Sequence, residues 1–299
     1  MSVRSRMIEE KAVIILSGAA AVFTALILIF IIGTITVKGL PSINLKYLFS
    51  SESDVQQFGG AIGNAFVGTI LLSTLSVTIA TPFALSTAVY LRKYAKDNNV
   101  TKTIRLLIEM FSGTPSIVVG IVGLILICYY LRPITGGWSL ISGSIALAIL
   151  ILPVLERAIE EALRTVPIEI EDASYALGAD KWGTIRRVTI PYSISGILTG
   201  VVFGVARSAE ESAVIILTTG YSQYFPSLGI GQNPKLLFGV QIFPFQEQVG
   251  SLSLAIYNVF QYPMSDSKSS AFPAAFVLIV TILIINLIAR VIIRRWKIG

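Results

Sequence analysis

The sequence predicts an all-α integral membrane protein with six transmembrane helices, and three observations carry that reading. Hydrophobic residues make up 54% of the 299 residues and charged residues 13%, with a mean hydropathy of +0.78, whereas a soluble domain is about 25% charged. Six apolar runs of 18 to 33 residues alternate with polar stretches, and a helix needs roughly 20 residues to cross about 30 Å of hydrocarbon. Most of the basic residues lie on one side of these runs, the asymmetry that membrane insertion produces.

The first run, Ala12 to Val37, follows Arg4, Arg6 and Lys11. It exceeds the roughly 7 to 15 apolar residues of a signal-peptide core and reads as a retained span. Lys38 to Phe58, with Pro41, Asn44, Glu52 and Asp54, forms an exposed connection. Residues 1–58 are therefore expected to stand apart from a five-helix core over 59–299. The second run, Gly59 to Leu91, contains Pro82, whose ring removes a backbone bond and is expected to kink it. RKYAKDNNVTKTIR then faces water. The third run, Ile104 to Tyr130, carries the break signal Ser112-Gly113-Thr114-Pro115-Ser116 near its start. Trp138 to Leu155 is the fourth run and Tyr192 to Thr219 the fifth. A polar and aromatic connection, Gly220 to Lys268, leads to the sixth, Ala271 to Ile293. Within that connection SLSLAIYNVF reads as a short helix lying on the outer surface.

Arg4, Arg6 and Lys11; Arg92, Lys93, Lys96, Lys102 and Arg105; Arg157, Arg164, Lys181, Arg186 and Arg187; and Arg290, Arg294, Arg295 and Lys297 share one side. The other side receives Lys38, Lys46, Arg132, Lys235 and Lys268, and Arg207 lies within a span. The rule for cytoplasmic positive charge predicts a multi-pass protein of the cell membrane with both termini in the cytoplasm. The net charge of +6 follows from this orientation, and no nucleic-acid binding is expected. One cysteine and no histidine remove disulfide frameworks and histidine-based zinc or acid/base chemistry. No metal or cofactor is expected, and Cys128 reads as a buried apolar residue.

Between the fourth and fifth runs, residues 156–191 form a cytoplasmic loop too polar for lipid. Thr165 is placed to cap a helix with Pro167 near its first position and Glu169, Glu171 and Asp172 early, at the positive end of the dipole. Gly178 is placed to end that helix, and Asp180 to cap a second one carrying Trp182, Ile185 and Val188, before Pro191 opens the fifth span. Small residues at Ala173, Ala176 and Gly178 admit close approach of a partner, and Leu177 and Trp182 supply apolar anchors. On these grounds alone, an amphipathic hairpin resting on lipid headgroups remains an alternative.

The fifth run also holds Arg207, Glu210 and Glu211. Arg207 lies sixteen residues beyond Pro191, about 24 Å at about 1.5 Å per residue, between the midplane and the outer half of the bilayer. A charge there costs roughly 2.5 to 3.5 kcal/mol on the insertion scale, so Arg207 is expected to face the bundle interior and be paired. Glu211, four residues on, shares its face; Glu210, rotated by about 100°, needs another neighbour. The group is either an internal ion pair or a charged element of a translocation path, with Arg207 attracting an anion and Glu211 tethering Arg207 or opposing the anion. The break at Gly113-Thr114-Pro115-Ser116 is either a packing kink or a half-helix N-terminus favourable to anions, with Ser112, Thr114 and Ser116 as hydroxyl donors. Arg105 and Glu109, also four apart, read as a surface or interhelical pair.

Asp172-Ala173-Ser174, Gly178, and Val188, Ile190 and Pro191 resemble the Glu-Ala-Ala loop of ABC import permeases: the spacing matches throughout, with Asp for Glu, Ser for the second Ala, Val for Ile and Ile for Leu. The resemblance implies a type I importer permease (MetI-like) fold in which Asp172 to Gly178 is the coupling helix on a separate ATPase dimer. The sequence holds no GxxxxGK[ST] motif of its own. ARSAEESAVIILT is similar to the ARAxGETAxxLLT segment of phosphate-importer permeases, with Arg207 and Glu211 on the family's Arg and Glu and Glu210 replacing Gly. Residues 68–95, SGTPSIVVGIVG and IYN before the last span extend the resemblance, and LTTG brings it nearer the A-type than the C-type subunit. It implies the permease of an ATP-driven importer of inorganic phosphate, working with a C-type permease and an extracytoplasmic phosphate-binding protein, and catalysing no covalent chemistry itself. The alternatives are a permease for sulfate or molybdate and, from another class, a proton-coupled secondary transporter using Glu210 and Glu211.

Overall fold

The computed structural model describes residues 3–55, 59–237, 239–261 and 271–295. They form helices α1 (Val3–Gly39), α2 (Leu45–Phe49), α3 (Glu52–Val55), α4 (Gly63–Val89), α5 (Asn99–Ser112), α6 (Ser116–Gly123), α7 (Arg132–Thr135), α8 (Leu140–Arg164), α9 (Ile168–Ala176), α10 (Lys181–Thr184), α11 (Ile190–Glu210), α12 (Ala213–Thr218), α13 (Leu252–Gln261) and α14 (Ala271–Arg295). Among the described residues, five helical stretches are long and apolar enough to cross a membrane. The pair Asn99–Ser112 and Ser116–Tyr130, bent by 98°, makes six when counted as one span.

Helices α4, α8 and α11 form the centre. At one end α4 contributes Ala80, Ala84 and Ala88 at four-residue spacing, packed with Ile151, Leu155, Ile159 and Leu163 of α8. Helix α11 comes equally close to α8 because it presents Gly196, Gly200 and Gly204: a Cβ on Gly196 would lie 2.6 Å from that of Ala162, and one on Gly200 2.9 Å from that of Ala158. Small residues at every fourth position let helix backbones meet where lipid offers no hydrophobic drive. Towards the other end Leu72, Leu147, Leu150, Val214 and Ile215 form a second apolar cluster. Helix α14 packs on α11, and α1 on α14. No residue in the apolar window of α1 is buried, the pattern of a helix with most of its surface open to lipid or to another chain.

The structure differs from the sequence-based expectation at several places. Helix α4 runs through Pro82 without interruption. The third apolar run divides at Gly113–Pro115, and α5, with no buried residue, is bent sharply from the helix that follows it. The fifth run is not one helix either. It begins earlier, because a π turn at Ile185–Thr189 carries α10 into α11 and absorbs the missing N–H of Pro191; it ends at Glu210, before α12 starts. SLSLAIYNVF does form a helix, α13, but not on the surface: Leu252, Leu254, Ala255 and Val259 are buried, and the helix packs on α4, α11 and α14. The connection before it holds an unexpected antiparallel hairpin, β1 (Gly229–Gln232) with β2 (Val240–Phe243), paired from Gly229↔Phe243 to Gln232↔Val240. Bonds from Leu237 N to the Pro133 carbonyl and from Gln246 Nε2 to that of Ile134 anchor it to α7. Cys128 is buried, as expected, its thiol directed at the Thr218 carbonyl.

Candidate functional site

Two groups of sequence-predicted residues lie at opposite ends of α11. At the basic end the loop after α8 folds as a helix, a glycine turn and a helix. Thr165 does not cap the first helix; its hydroxyl donates to the Ala162 carbonyl at the end of α8, and Pro167 occupies the cap position of α9. Gly178 closes α9 with φ +86°, a left-handed conformation that a side chain disfavours. Asp180 caps α10, accepting from Gly183 N at 3.0 Å. Asp172, Ala173, Leu177, Gly178 and Trp182 are exposed, Leu177 to 90%. Ser174 is half-buried and bonds the Thr184 hydroxyl at 2.9 Å, fastening α9 to α10.

Glu171 departs from the sequence reading. It is buried, takes both oxygens onto Lys93 Nζ, and accepts from the Thr189 hydroxyl at 2.7 Å. Lys93 and Thr189 are absent from any sequence-based site, because nothing local marks a contact across 78 positions. Arg105 and Glu109 do not pair with each other: Arg105 donates to Glu160 at 2.8 Å and Glu109 faces Arg157 at 4.0 Å. Both contacts tie α5 to α8 beside a polar cleft of about 240 Å³ that Glu156 also lines.

At the far end of α11, Arg207 Nη1 donates to Glu210 Oε1 at 2.9 Å, with side chains 42% and 50% exposed. This corrects the expected pairing with Glu211. The helix stops at Glu210, so Glu211 leaves the face of Arg207; its backbone is extended (φ −72°, ψ 133°) and its carboxylate accepts from Ala213 N at 3.0 Å. The pair also faces out of this chain rather than into its own bundle. Ser112 and Thr114 at the other break direct their hydroxyls to the carbonyls of Ile108 and Met110. Ser116 opens α6, which packs on α12 and α8. Helix α12, which follows the Arg207 group in the chain, thus packs on the helix that follows the bend.

A chain of this architecture has close counterparts. Its fold is similar to that in a bacterial alginate ABC transporter bound to an alginate-loaded periplasmic protein (TM-score 0.65, 14% identity, 99% of both chains) and in inward-facing MetNI methionine ABC transporter (TM-score 0.58, 16% identity, 82% of this chain and 99% of that one). These show the MetI-like importer permease fold. By sequence the chain is 30% identical to the probable ABC transporter permease protein YqgI of Bacillus subtilis over 96% of this chain and 95% of that protein. It is 31% identical to the phosphate transport system permease protein PstA of Xylella fastidiosa over 99% and 96%, and 27% identical to PstA of Yersinia pestis over 97% and 91%. The profile described as "Binding-protein-dependent transport system inner membrane component" matches residues 80–298, a range running from the middle of α4 through the α9–α10 loop and Arg207 to the last helix. The chain belongs to the family of binding-protein-dependent transport system inner membrane components.

Proposed function

We propose that this chain is a membrane permease subunit of an ATP-driven phosphate importer. The observation that carries the reading is the arrangement on α11: a bare, glycine-closed helical tip stands at its basic end and an unburied guanidinium at the other. A charge facing lipid costs roughly 2.5 to 3.5 kcal/mol, so the half-exposed Arg207 and Glu210 face a water-filled path or a second membrane subunit. Arg207 attracts the phosphate anion, and Glu210 competes for the same guanidinium so that the anion is not held too tightly to leave. Glu211 shapes the break that lets the pair face outward, and Thr114 and Ser116 lie along the path at the other break. The PstA relatives, aligned along nearly the whole chain, favour phosphate over other oxyanions.

A C-type permease completes the path across the exposed face of α11. An ATPase dimer receives α9 through Asp172, Ala173, Ser174, Leu177 and Gly178, with Trp182 of α10 alongside, on the cytoplasmic side where both termini lie. An extracytoplasmic phosphate-binding protein delivers to the connections at the far end. ATP binding closes the ATPase, displaces α9 and shifts the spans between outward- and inward-open states.

Co-purification of the complete transporter, followed by ATP-dependent uptake of labelled phosphate into proteoliposomes with sulfate as competitor, tests the reading. Phosphate uptake that requires ATP and resists sulfate is the expected result. Equal competition by sulfate would reassign the substrate, and uptake without any ATPase would make the chain a secondary transporter.

A further inference from the structure

Glu171 lies in the first turn of α9, where an acidic side chain in water would suffice to favour the helix dipole. It is instead 8% exposed, although its neighbours Ile170 and Asp172 are open to solvent. Lys93 Nζ donates to its two oxygens at 2.5 and 2.7 Å, and the Thr189 hydroxyl donates to Oε1 at 2.7 Å. Lys93 belongs to the π turn Tyr90–Tyr94 that ends α4, and Thr189 closes the π turn Ile185–Thr189 that opens α11. One carboxylate therefore binds α9 to the feet of two of the three central helices. A second tie runs in parallel, with Lys181 Nζ 4.6 Å over the Tyr94 ring.

A buried ion pair rarely stabilises a fold more than apolar packing of the same volume, while losing one partner is costly. Stability alone is thus a weak reason for this arrangement, and geometry gives a better one. The tip of α9 is free, its base is fastened at two helix feet, and both fastening points are π turns, backbone irregularities that collect where helices act or move. Thr189 lies eighteen residues before Arg207 on continuous helix, about 27 Å at about 1.5 Å per residue.

We propose that Glu171 is the positioning residue for energy coupling: it joins α9, the foot of α4 and the foot of α11 into one body. A displacement of the α9 tip then moves both core helices instead of bending the loop. The inference rests on the permease reading above, in which an ATPase pushes on α9.

The test uses the complete transporter in proteoliposomes and reads phosphate moved per ATP hydrolysed, with subunit assembly measured alongside. Thr189→Val and Glu171→Gln are expected to assemble and hydrolyse ATP, while phosphate moved per ATP falls by roughly threefold to thirtyfold. Lys93→Arg, which keeps a charge able to reach both oxygens, is expected to retain the wild-type ratio. If Glu171→Gln fails to assemble because Lys93 is left buried without a counter-charge, two variants decide by the same ratio: Thr189→Val, which leaves the ion pair intact, and the double change Glu171→Met with Lys93→Met. A wild-type ratio in the assembled variants overturns the inference and leaves the permease reading standing. A wild-type transporter that moves phosphate without hydrolysing ATP overturns both.

Discussion

Arg207 is held by Glu210, three residues ahead on the exposed side of α11, and not by Glu211, which is turned into the bundle and 7% exposed. One residue of sequence thus separates two carboxylates with different work. Glu210 is the counter-ion of a charge that leaves the chain's own surface, and Glu211 braces the break between α11 and α12. Its carboxylate accepts from Ala213 N, and its carbonyl accepts from the Ser253 hydroxyl of α13 at 2.6 Å.

Replacing Arg207 with Gln removes the guanidinium and is expected to abolish phosphate uptake while assembly persists, because a half-exposed side chain carries little of the packing. Glu210→Gln is expected to do the opposite. An exposed ion pair is worth about 0.2 to 1 kcal/mol, so freeing Arg207 should lower the half-saturating phosphate concentration by about 1.4- to fivefold. Uptake kinetics at fixed ATP check both; normal uptake by Arg207→Gln would reduce the residue to a structural ion pair.

Gly178 separates the backbone from the steric contribution of the loop tip. Nothing lies within 4 Å of the position its Cβ would take, so alanine meets only the cost of left-handed backbone, roughly 1 to 2 kcal/mol. A large side chain would also project from the exposed tip. Gly178→Ala should therefore transport at a reduced rate, and Gly178→Leu should hydrolyse ATP without moving phosphate. Parallel uptake and hydrolysis assays on the assembled complex check this, and wild-type transport by Gly178→Leu would remove the tip from the coupling surface.

The spans were legible in the sequence because hydropathy accumulates over twenty residues and survives local irregularity. The pairing of Arg207 was not, because the four-residue rule assumes a helix that continues. Neither Gly nor Pro marks the stop at Glu210; the break is held by contacts to α13, which arrives from a distant part of the chain. The helix in SLSLAIYNVF was legible from its composition, but its burial was not: two of the surfaces that cover it, on α4 and α11, lie far away in sequence. Glu171 reads as one more acidic residue of an N-terminal turn until Lys93 and Thr189 are brought beside it.

The seating of α13 depends on Gly68. A Cβ there would lie 2.0 Å from the Gly250 carbonyl oxygen, a backbone atom with little room to move, just before Leu252 N bonds the Thr69 hydroxyl at 2.9 Å. Gly68→Ala should therefore push α13 off α4, at about 1 to 3 kcal/mol for overpacking. Thermal unfolding of the purified protein in detergent should show a lowered midpoint, whereas Gly18→Ala on α1, where nothing lies within 4 Å, should leave it unchanged. An unchanged midpoint for Gly68→Ala would mean that this contact does not hold α13.

A buried carboxyl makes stability depend on pH at the end of the molecule opposite the basic loop. Glu52 of α3 is 3% exposed and accepts from Gly59 N at 3.2 Å; its own amide approaches Asn64 Oδ1, and Asn64 Nδ2 donates to the Ser222 carbonyl at 2.8 Å. Burial raises its pKa above the usual 4.5, against the opposing effect of hydrogen bonds from Tyr221 and Gly59. A carboxyl whose pKa is raised by folding adds stability that is complete below its unfolded value and is lost as pH climbs through the folded value. Tyr47 and Tyr221 are themselves raised by burial and stay neutral throughout. Asp54 is pulled down by its bonds to Ser51 and titrates lower, with the opposite sign. Acidifying from neutrality towards pH 4.5 should therefore raise the unfolding midpoint of the wild type. Glu52→Gln, neutral at every pH, should lack that part of the rise and at neutral pH be more stable on the order of 1 kcal/mol, the cost of a poorly compensated buried charge. Midpoints measured across this range for both proteins check the sign: parallel curves would show that Glu52 does not titrate there.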